Sequence, residues 1–339
     1  MTLDVTGLSL RDLTSCGGCA AKADASLLKL LRSAAYDQQG IDTLVGLAAP
    51  DDAAVTAINE TTSLITTVDF FPPVVSDAFE YGYVSALNSL SDIYAMGGLA
   101  KTALLVCGFP KEIADEEISA CVSGAAQACK EAGVEILGGH TVRIAEPIFG
   151  LAATGYVHPG EIWRKAGMAD GDLLMLSKPL GVGVLLSTRE PSDELMALEQ
   201  MKISNLGARN ALAELGSAVH AVTDVTGFGL IGHLSEMLGN SFLTAQIQLP
   251  SQAVLPHAQS LFDAGRQTSA DARNRAALDR EVLGLNNENS QAALFDPQTN
   301  GGLLASIDPA FEIQLVEHGF ITVGKVVTGS GKIEVLSNQ

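Results

Sequence analysis

Positive charge is scarce in this chain of 339 residues, in which 20 Lys and Arg stand against 39 Asp and Glu. The resulting net charge of −19 would repel nucleic acid and anionic membrane surfaces, so neither is expected as a partner. The same charge is compatible with ATP, because a divalent cation can join the phosphates of ATP to protein carboxylates. Composition therefore disfavours nucleic-acid binders and leaves nucleotide-dependent enzymes open.

Long apolar runs are also missing, since no stretch of about 18 apolar residues is present to span a bilayer. Residues 1–13 lack the apolar segment of a secretory signal. The five cysteines show no regular spacing, which argues against a disulfide framework and favours a reducing compartment. We therefore expect a cytoplasmic protein without a membrane partner.

Aromatic residues are few, at 5% of the chain, whereas hydrophobic residues make up 47%. This composition favours an α/β protein with a core of aliphatic side chains. The length predicts two domains, and the polar, glycine-bearing stretch 159–171 is the best candidate for their boundary. We expect a flexible loop and a helix in residues 1–48, an α/β domain in residues 49–158 and a second one in residues 159–339.

The N-terminal part of the chain combines two thiols with an ammonium group. Cys16 and Cys19 flank two glycines, and Lys22 follows three residues after Cys19. The glycine pair favours a mobile loop, in which the nearby lysine would stabilise a thiolate. An unstructured N-terminus whose cysteines have no function is the alternative. A helix capped by Asp24 is predicted to follow.

Aspartates stand where predicted strands and helices begin or end. Asp51 and Asp52 precede an apolar run, Asp69 follows the predicted strand 64–68, and Asp224 follows the predicted strand 219–223. Adjacent acids such as the first two are also common in solvated turns. If several carboxylates converged, however, they would repel one another unless they held cations, and Mg²⁺ with phosphate oxygens is the usual solution. The sequence alone does not show that they converge.

A long helix is predicted over residues 77–96, with Asp77 as its cap and two glycines after its end. Ser85, Asn88, Ser89 and Asp92 share one face of it at helical spacing. Small polar groups on an otherwise apolar helix favour the wall of a site over an ordinary exposed face. Three further cysteines are predicted to be core residues of a strand and a helix: Cys107, Cys121 and Cys129.

Glycine-rich segments follow two of the predicted strands. The strand 135–137 is predicted to end in a turn over residues 138–141, which could bind an anion or simply reverse the chain. Residues 227–232 match G-x-G-x-x-G, but no acid follows between residues 237 and 262 to bind a ribose, so a dinucleotide site is disfavoured. A metal-binding Asp224 beside a phosphate-tolerant glycine turn fits better. The P-loop, the H-E-x-x-H motif and a zinc ligand set are all missing.

Taken together, the motifs resemble those of selenophosphate synthetases (selenide, water dikinases), a family of the aminoimidazole ribonucleotide synthetase-like superfamily. The resemblance covers nearly the whole chain in the expected order. It rests on Gly18-Cys19-x-x-Lys22, Asp51-Asp52-Ala53-Ala54-Val55, Thr67-x-Asp69-Phe70-Phe71, Ser91-Asp92-x-x-Ala95-Met96-Gly97-Gly98, Gly138-Gly139-His140, Lys178-Pro179-Leu180-Gly181, Thr223-Asp224-Val225-Thr226-Gly227-Phe228-Gly229 and Asp296-Pro297-Gln298-Thr299-x-Gly301-Gly302.

The resemblance implies a two-domain α/β (α+β) protein of the aminoimidazole ribonucleotide synthetase-like fold. The N-terminal sheets of two chains would pair into a barrel, so that a homodimer binds ATP at its interface. The implied reaction converts ATP, selenide and water into selenophosphate, AMP and phosphate, with Mg²⁺ as cofactor. By motif position, Cys19 and Lys22 correspond to catalytic residues. The implied metal ligands are Asp52, Asp92 and Asp224, and the implied nucleotide contacts are Lys22, Asp51, Asp69, Asp92, Gly138, Gly139, His140 and Thr141.

One departure from the family pattern concerns the N-terminal loop. Ala20 and Ala21 replace the usual Gly-Cys, and an extra thiol, Cys16, lies upstream. Two alternatives remain open at this point. The chain could be another ATP-dependent small-metabolite kinase or synthetase of the superfamily, or a thiol-based selenium carrier that uses Cys16 and Cys19 as a dithiol.

Overall fold

The computed structural model describes residues 10–14, 40–47, 51–285 and 291–336. Cys16, Cys19, Lys22 and the helix predicted after Asp24 lie outside the described residues. Within the described ranges, no helix is long and apolar enough to cross a membrane.

The first half of the described chain forms a six-stranded sheet in the order β1-β2-β3-β6-β4-β5. Two helices, α1 and α2, pack together, and α1 also packs on strands β3 and β6. Side chains alternate along β3, so that Ile65, Thr67 and Phe71 face the helices while Val68 and Phe70 point to the opposite face. The elements are β1 Thr43–Val45, β2 Ala54–Asn59, β3 Thr62–Phe71, α1 Ala78–Ala95, β4 Leu99–Phe109, α2 Asp115–Glu131, β5 Glu135–Arg143 and β6 Ile148–Val157.

The second half forms a seven-stranded sheet in the order β10-β13-β9-β12-β7-β11-β8, whose central strands are buried. The elements are β7 Leu173–Leu176, α3 Val182–Thr188, α4 Pro191–Met201, α5 Leu206–Ala213, β8 Val219–Asp224, α6 Gly229–Leu238, β9 Leu243–Ile247, α7 Pro256–Asp263, α8 Asp271–Ala276, β10 Val282–Leu283, β11 Leu303–Ile307, α9 Glu312–Glu317, β12 Ile321–Thr328 and β13 Ile333–Val335.

Helix α1 joins the two halves of the molecule through buried hydrogen bonds. Asn205 Nδ2 donates to Ser91 Oγ at 2.8 Å, and the backbone N–H of Asn300 donates to Asn88 Oδ1 at 2.7 Å. The guanidinium of Arg209 binds the carbonyl of Gly97 just beyond the helix. These contacts bring the C-terminal end of α1 next to the end of β8, and so bring Asp92 towards Asp224.

The turn expected over residues 138–141 is absent, because β5 continues through these residues to Arg143. Gly139 is required there for packing, since a Cβ at this position would lie 2.4 Å from the carbonyl oxygen of Leu105 on β4. The glycine pair therefore allows close approach of two strands instead of ending one. β5 is the last strand of its sheet, and its side chains from residue 137 onwards are exposed.

The three cysteines that were assigned to the core are free and buried, which confirms that prediction: Cys107, Cys121 and Cys129. Burial raises the pKa of all three thiols, that of Cys129 to about 11, so they are protonated at neutral pH.

Candidate metal centre

Three aspartates from different parts of the fold converge on one point. Asp52 lies just before β2, Asp92 lies in the last turn of α1, and Asp224 ends β8. Each offers a carboxylate oxygen, and these oxygens all lie within 4.8 Å of one another. Three oxygen ligands at this spacing suit a hard divalent cation such as Mg²⁺.

The carboxylates of the cluster are incompletely satisfied by the described protein atoms. Asp52 Oδ2 and Asp224 Oδ2 are buried and have no hydrogen-bond partner among the described residues. The pKa of Asp52 is raised to about 8, mainly by burial and also by the neighbouring charges of Asp224 and Asp51, although Lys165 opposes the rise. A bound cation would supply the missing partner and favour the ionised carboxylates. The residues present therefore fit Mg²⁺.

Lys165 lies between the cluster and helix α6. Its Nζ is 2.9 Å from Asp52 Oδ1 and 2.9 Å from Glu236 Oε2. Burial alone would lower the pKa of Lys165, but the two carboxylates raise it well above its usual value. The pKa of Glu236 is lowered, because Lys165 and His233 outweigh the effect of burial. Lys165 is therefore a permanent cation that neutralises part of the acid cluster.

Asp51 performs a structural task beside the cluster. Its two carboxylate oxygens accept from the backbone N–H of Lys165 at 3.0 and 3.3 Å, and Oδ1 also accepts from the N–H of Asp52 at 3.0 Å. This side chain therefore fixes the main chain that carries both Lys165 and Asp52.

Hydroxyl groups orient two of the clustered carboxylates. Thr223 Oγ1 donates to Asp52 Oδ1 at 3.2 Å, and Thr67 Oγ1 donates to Asp92 Oδ2. His233 is oriented in turn, because its Nε2 accepts from the backbone N–H of Thr226 and its Nδ1 lies 3.3 Å from Glu236 Oε2. Ligands held by such a second layer keep their geometry when a cation binds.

Of the four polar residues on this face of α1, only Asp92 belongs to the acid cluster. Ser85 and Ser89 are fully buried and donate to the main-chain carbonyls of Tyr81 and Asp69, at 2.7 and 2.9 Å. These serines satisfy backbone groups where the helix packs on the sheet, so the expectation was wrong for these two residues.

Asn88 connects Asp69 with the second half of the chain. Its Nδ2 donates to Asp69 Oδ2 at 2.6 Å, while its Oδ1 accepts from the N–H of Asn300. Asp69 lies inside β3, two residues before the strand ends, instead of following the strand as expected. The structure thus orients this carboxylate on the helix-covered face of the sheet.

His140 lies on the other face of the same sheet. The strand register aligns it with Val106, Gly150 and Phe70, whereas Gly139 belongs to the row of Asp69. Thr141 lies on the helix face beside Cys107. Its hydroxyl bonds to that thiol and partly opposes the rise in pKa that burial causes. The nucleotide contacts implied by sequence are therefore divided between the two faces of one sheet.

Three functional candidates were missed by reasoning from sequence: Lys165, Glu236 and Lys178. Lys165 lies in the polar stretch that was interpreted only as a boundary, and Glu236 is an ordinary charged residue on an amphipathic helix. Lys178 is 3% exposed, and its Nζ donates to the carbonyls of Ile203 and Asn300 at 2.6 and 2.7 Å. Burial lowers the pKa of Lys178 to about 7, although Asp224 opposes the change. The motif Lys178-Pro179-Leu180-Gly181 was the available signal for it.

Comparison with known proteins identifies the class to which this fold and cluster belong. Residues 50–157 match the family model of the AIR synthase related protein, N-terminal domain, and residues 169–332 match that of the C-terminal domain. The fold is shared with "AaThiL complexed with AMPPCP and TMP" at a TM-score of 0.69 and 18% identity, over 91% of this chain and 92% of that one. Thiamine-monophosphate kinase from Stenotrophomonas maltophilia K279a aligns at a TM-score of 0.64 and 20% identity, over 91% and 94%.

Within that class, this chain belongs to the selenide, water dikinase family. It is 39% identical to the selenide, water dikinase of Burkholderia pseudomallei (strain K96243), over 98% of each chain. It is 37% identical to that of Pseudomonas straminea, over 99% of this chain and 100% of the relative. The family assignment made from sequence motifs is confirmed.

Proposed function

We propose that this protein catalyses the ATP-dependent synthesis of selenophosphate from selenide and water, releasing AMP and phosphate. The observation that carries the proposal is the cluster of Asp52, Asp92 and Asp224 in a chain that resembles selenide, water dikinases over nearly its whole length. A thiol-based selenium carrier is not favoured, because it would not need a cation site. Another kinase or synthetase of the superfamily is not favoured, because relatives of this similarity bear the name selenide, water dikinase.

Asp52, Asp92 and Asp224 hold Mg²⁺ in this proposal. When bound, Mg²⁺ neutralises the phosphates of ATP and orients them for attack by the nucleophile. Lys165 limits the repulsion among the carboxylates before the cation arrives, and Asp51 fixes the main chain that carries Lys165. Thr223 and Thr67 hold two of the carboxylates in place.

The nucleotide is assigned to the region between β5, at one edge of the first sheet, and the acid cluster, which lies beside β2 and β3. Gly138, Gly139, His140 and Thr141 offer exposed backbone and side-chain donors along β5, and the carboxylates of Asp69 and Asp92 lie on the helix side. Asp51 is assigned to the same site because it precedes Asp52 of the cluster. The position of β5 at the sheet edge supports this assignment, because its outer backbone groups are not paired within the described sheet.

Cys19 and Lys22 complete the proposed active site. The chain leading to them is attached to both halves of the protein, since Thr14 donates to Glu146 and Arg11 binds Glu194. Cys19 would handle selenium as a soft thiolate, and Lys22 would offset charge that develops on a transferred phosphoryl group. We therefore assign residues 1–48 to a catalytic loop and helix, and residues 159–339 to the C-terminal domain.

Residues 49–158 form the ATP-binding and dimerisation domain in this proposal. The sheet face opposite the helices exposes large apolar side chains on four adjacent strands: Val68, Phe70, Leu104, Leu137 and Tyr156. Monomeric proteins rarely leave an apolar surface of this kind in water. A second chain pairing its sheet with this one would bury that face and form the barrel of a homodimer. Three free buried cysteines are compatible with the cytoplasm as its location.

The function is tested by measuring AMP, ADP and phosphate from ATP with Mg²⁺, in the presence and absence of selenide, with ³¹P NMR to detect the selenium–phosphorus product. Selenide should strongly stimulate the formation of AMP. If ADP were the sole nucleotide product and another small acceptor became phosphorylated, the protein would belong with the kinases of the class.

A further inference from the structure

A cavity of about 380 Å³ lies between the segment 10–14, the loop after β3 and the second half of the chain. We name it the arginine pocket, because its lining includes Arg11, Arg189 and Arg266. None of the clustered aspartates, nor Lys165, lines it. It is therefore distinct from the proposed cation site.

The charge of the arginine pocket is opposite to that of the protein. In a chain with 39 acids and 20 bases, three of the described lining residues are arginines and none is acidic. Arg11 is paired with Glu194, but within the described ranges Arg189 and Arg266 have no acidic partner within 4.0 Å. Two guanidinium groups therefore supply uncompensated positive charge to one small cavity.

Polar groups beside the arginines complete an anion-binding surface. Thr268 Oγ1 is buried without a hydrogen-bond partner among the described residues, and Thr299 lines the same cavity with only 4% of its surface exposed. A buried hydroxyl without a protein partner gains a hydrogen bond when a ligand oxygen lies beside it. Hydroxyls and guanidinium forks are the groups that bind phosphate oxygens.

The backbone conformation of Arg189 is one that residues with a side chain rarely adopt. This residue caps helix α3 in the left-handed conformation, with φ at 60°. A residue with a side chain adopts that region at a cost of about 1 kcal/mol or more, which glycine would avoid. The sequence nevertheless has arginine at this position, where its side chain lines the pocket.

We propose that the arginine pocket is a binding site for a small ligand that carries a phosphate group, distinct from the site that binds ATP. Arg189 and Arg266 hold the phosphate oxygens, and Thr268 donates its free hydroxyl. The volume is at the lower end of the range for small-molecule sites, about 300–1,000 Å³, so there is room for a phosphate and a few further atoms. Val74 and Leu186 provide an apolar wall for the remainder of a phosphate ester.

The test measures binding to the full chain by titration calorimetry and by the shift in Tm, with EDTA and without nucleotide. Without a divalent cation the acid cluster repels phosphate, so it cannot produce the signal. Inorganic phosphate is the probe in one arm and glycerol 3-phosphate in the other, at matched ionic strength. Tighter binding of the ester would identify the apolar wall as part of the site, and equal or weaker binding would identify inorganic phosphate as the ligand.

The variant for this test is the double substitution Arg189→Gln with Arg266→Gln. Both side chains are exposed, so the fold should persist, and binding should weaken by about tenfold or more because charge-assisted hydrogen bonds are lost. Lys325→Gln removes one positive charge from an exposed position on β12 and should leave binding unchanged. Arg189→Gly gives a second variant, which relieves the backbone and should bind weakly without loss of Tm.

The proposal is overturned if neither phosphate compound binds saturably to the wild-type chain. It is also overturned if the double variant binds as tightly as Lys325→Gln. These results are independent of selenide and of AMP formation, so they do not depend on the outcome for the proposed activity.

Discussion

Lys165 Nζ lies 2.9 Å from Asp52 Oδ1, and the same ammonium is 2.9 Å from Glu236 Oε2. Asp52 precedes β2, and Lys165 follows β6, the last strand of the same sheet along the chain. Because the two residues are far apart in sequence, the ion pair forms only in the folded protein. Lys165 therefore already supplies one of the positive charges that offset the negative charge of the acid cluster.

Lys165→Met should destabilise the cation-free protein by about 3–5 kcal/mol, because it leaves buried carboxylates without their partner. Lys165→Arg keeps the charge and is the matched control. Denaturant unfolding in EDTA measures the difference. In Mg²⁺ the loss should shrink, since the cation takes over part of the neutralisation. An equal loss in EDTA and in Mg²⁺ would show that Lys165 acts on packing alone.

Asp52→Asn, Asp92→Asn and Asp224→Asn should each abolish turnover while preserving the fold, because each removes charge from a cation site and not a core contact. Mg²⁺ raises Tm by binding the native state, and each variant should lose that rise. Asp263→Asn, at an exposed helix end, is the control and should retain it. Near-normal activity of any cluster variant at low Mg²⁺ would remove that residue from the ligand set.

Asp296 gives the protein a pH dependence that can be isolated. Burial raises its pKa to about 8 in the folded protein, against bonds from Gln298 and the backbone of Gly183 that lower it. The folded state therefore binds the proton more tightly than the unfolded state, and stability should fall as pH rises from about 4 to 8.

The measurement compares wild type with Asp296→Asn by denaturant unfolding between pH 5 and 7. Lys178, whose folded pKa is about 7, begins to lose its proton at the upper end of this range, but it does so in both proteins and cancels from the comparison. Wild type should lose stability relative to the variant as pH rises. A constant difference between the two proteins across the range would contradict the assignment.

Cys19→Ser should lose selenide-dependent turnover, whereas Cys16→Ser should keep most of it. Lys22 is near both thiols in sequence and cannot choose between them by charge. Cys19, however, keeps the three-residue separation from Lys22 that the family pattern shows. Thiol labelling should find Cys19 protected when ATP and Mg²⁺ are bound. Equal losses in the two variants, with a disulfide that cycles during turnover, would favour a dithiol mechanism.

Phe70→Asp should convert a homodimer into a monomer, because it places a charge in the exposed apolar face of the first sheet. Phe242→Asp is the control, since this phenylalanine is 83% exposed on the second half of the chain. Light scattering at micromolar concentration measures the mass. A wild-type monomer with full activity would contradict the proposed dimer.

Strands and helices with strong local signals were predictable from sequence. β8 runs from Val219 to Asp224 against the predicted 219–223, and α1 begins after Asp77 as predicted because the side chain of Asp77 accepts from the N–H of Glu80. The sequence pattern failed at β5, where a glycine pair normally ends a strand. Only the neighbouring β4 backbone, which leaves no space for a Cβ at Gly139, explains why the strand continues.

The acid cluster was predictable in composition but not in its partners. Aspartates at element ends are visible in a sequence, because their type and position are unusual. The contacts of Asp52 with Lys165 and Thr223 depend on how two sheets meet, which no local pattern encodes. The same holds for Asn88, whose amide looks like any other polar group on a helix.

The amide of Asn88 has a mechanical consequence. One end of it holds Asp69 in the first sheet, and the other holds the backbone of Asn300, which adopts a left-handed φ of 46°. Separating the two halves would break the hydrogen bond from Asn300 to Asn88 and the one from Asn205 to Ser91. Each of these buried bonds would cost about 1 kcal/mol or more to break. A hinge between the sheets is therefore disfavoured, and any strain applied to the loop before β11 would be transmitted directly to the carboxylate of Asp69.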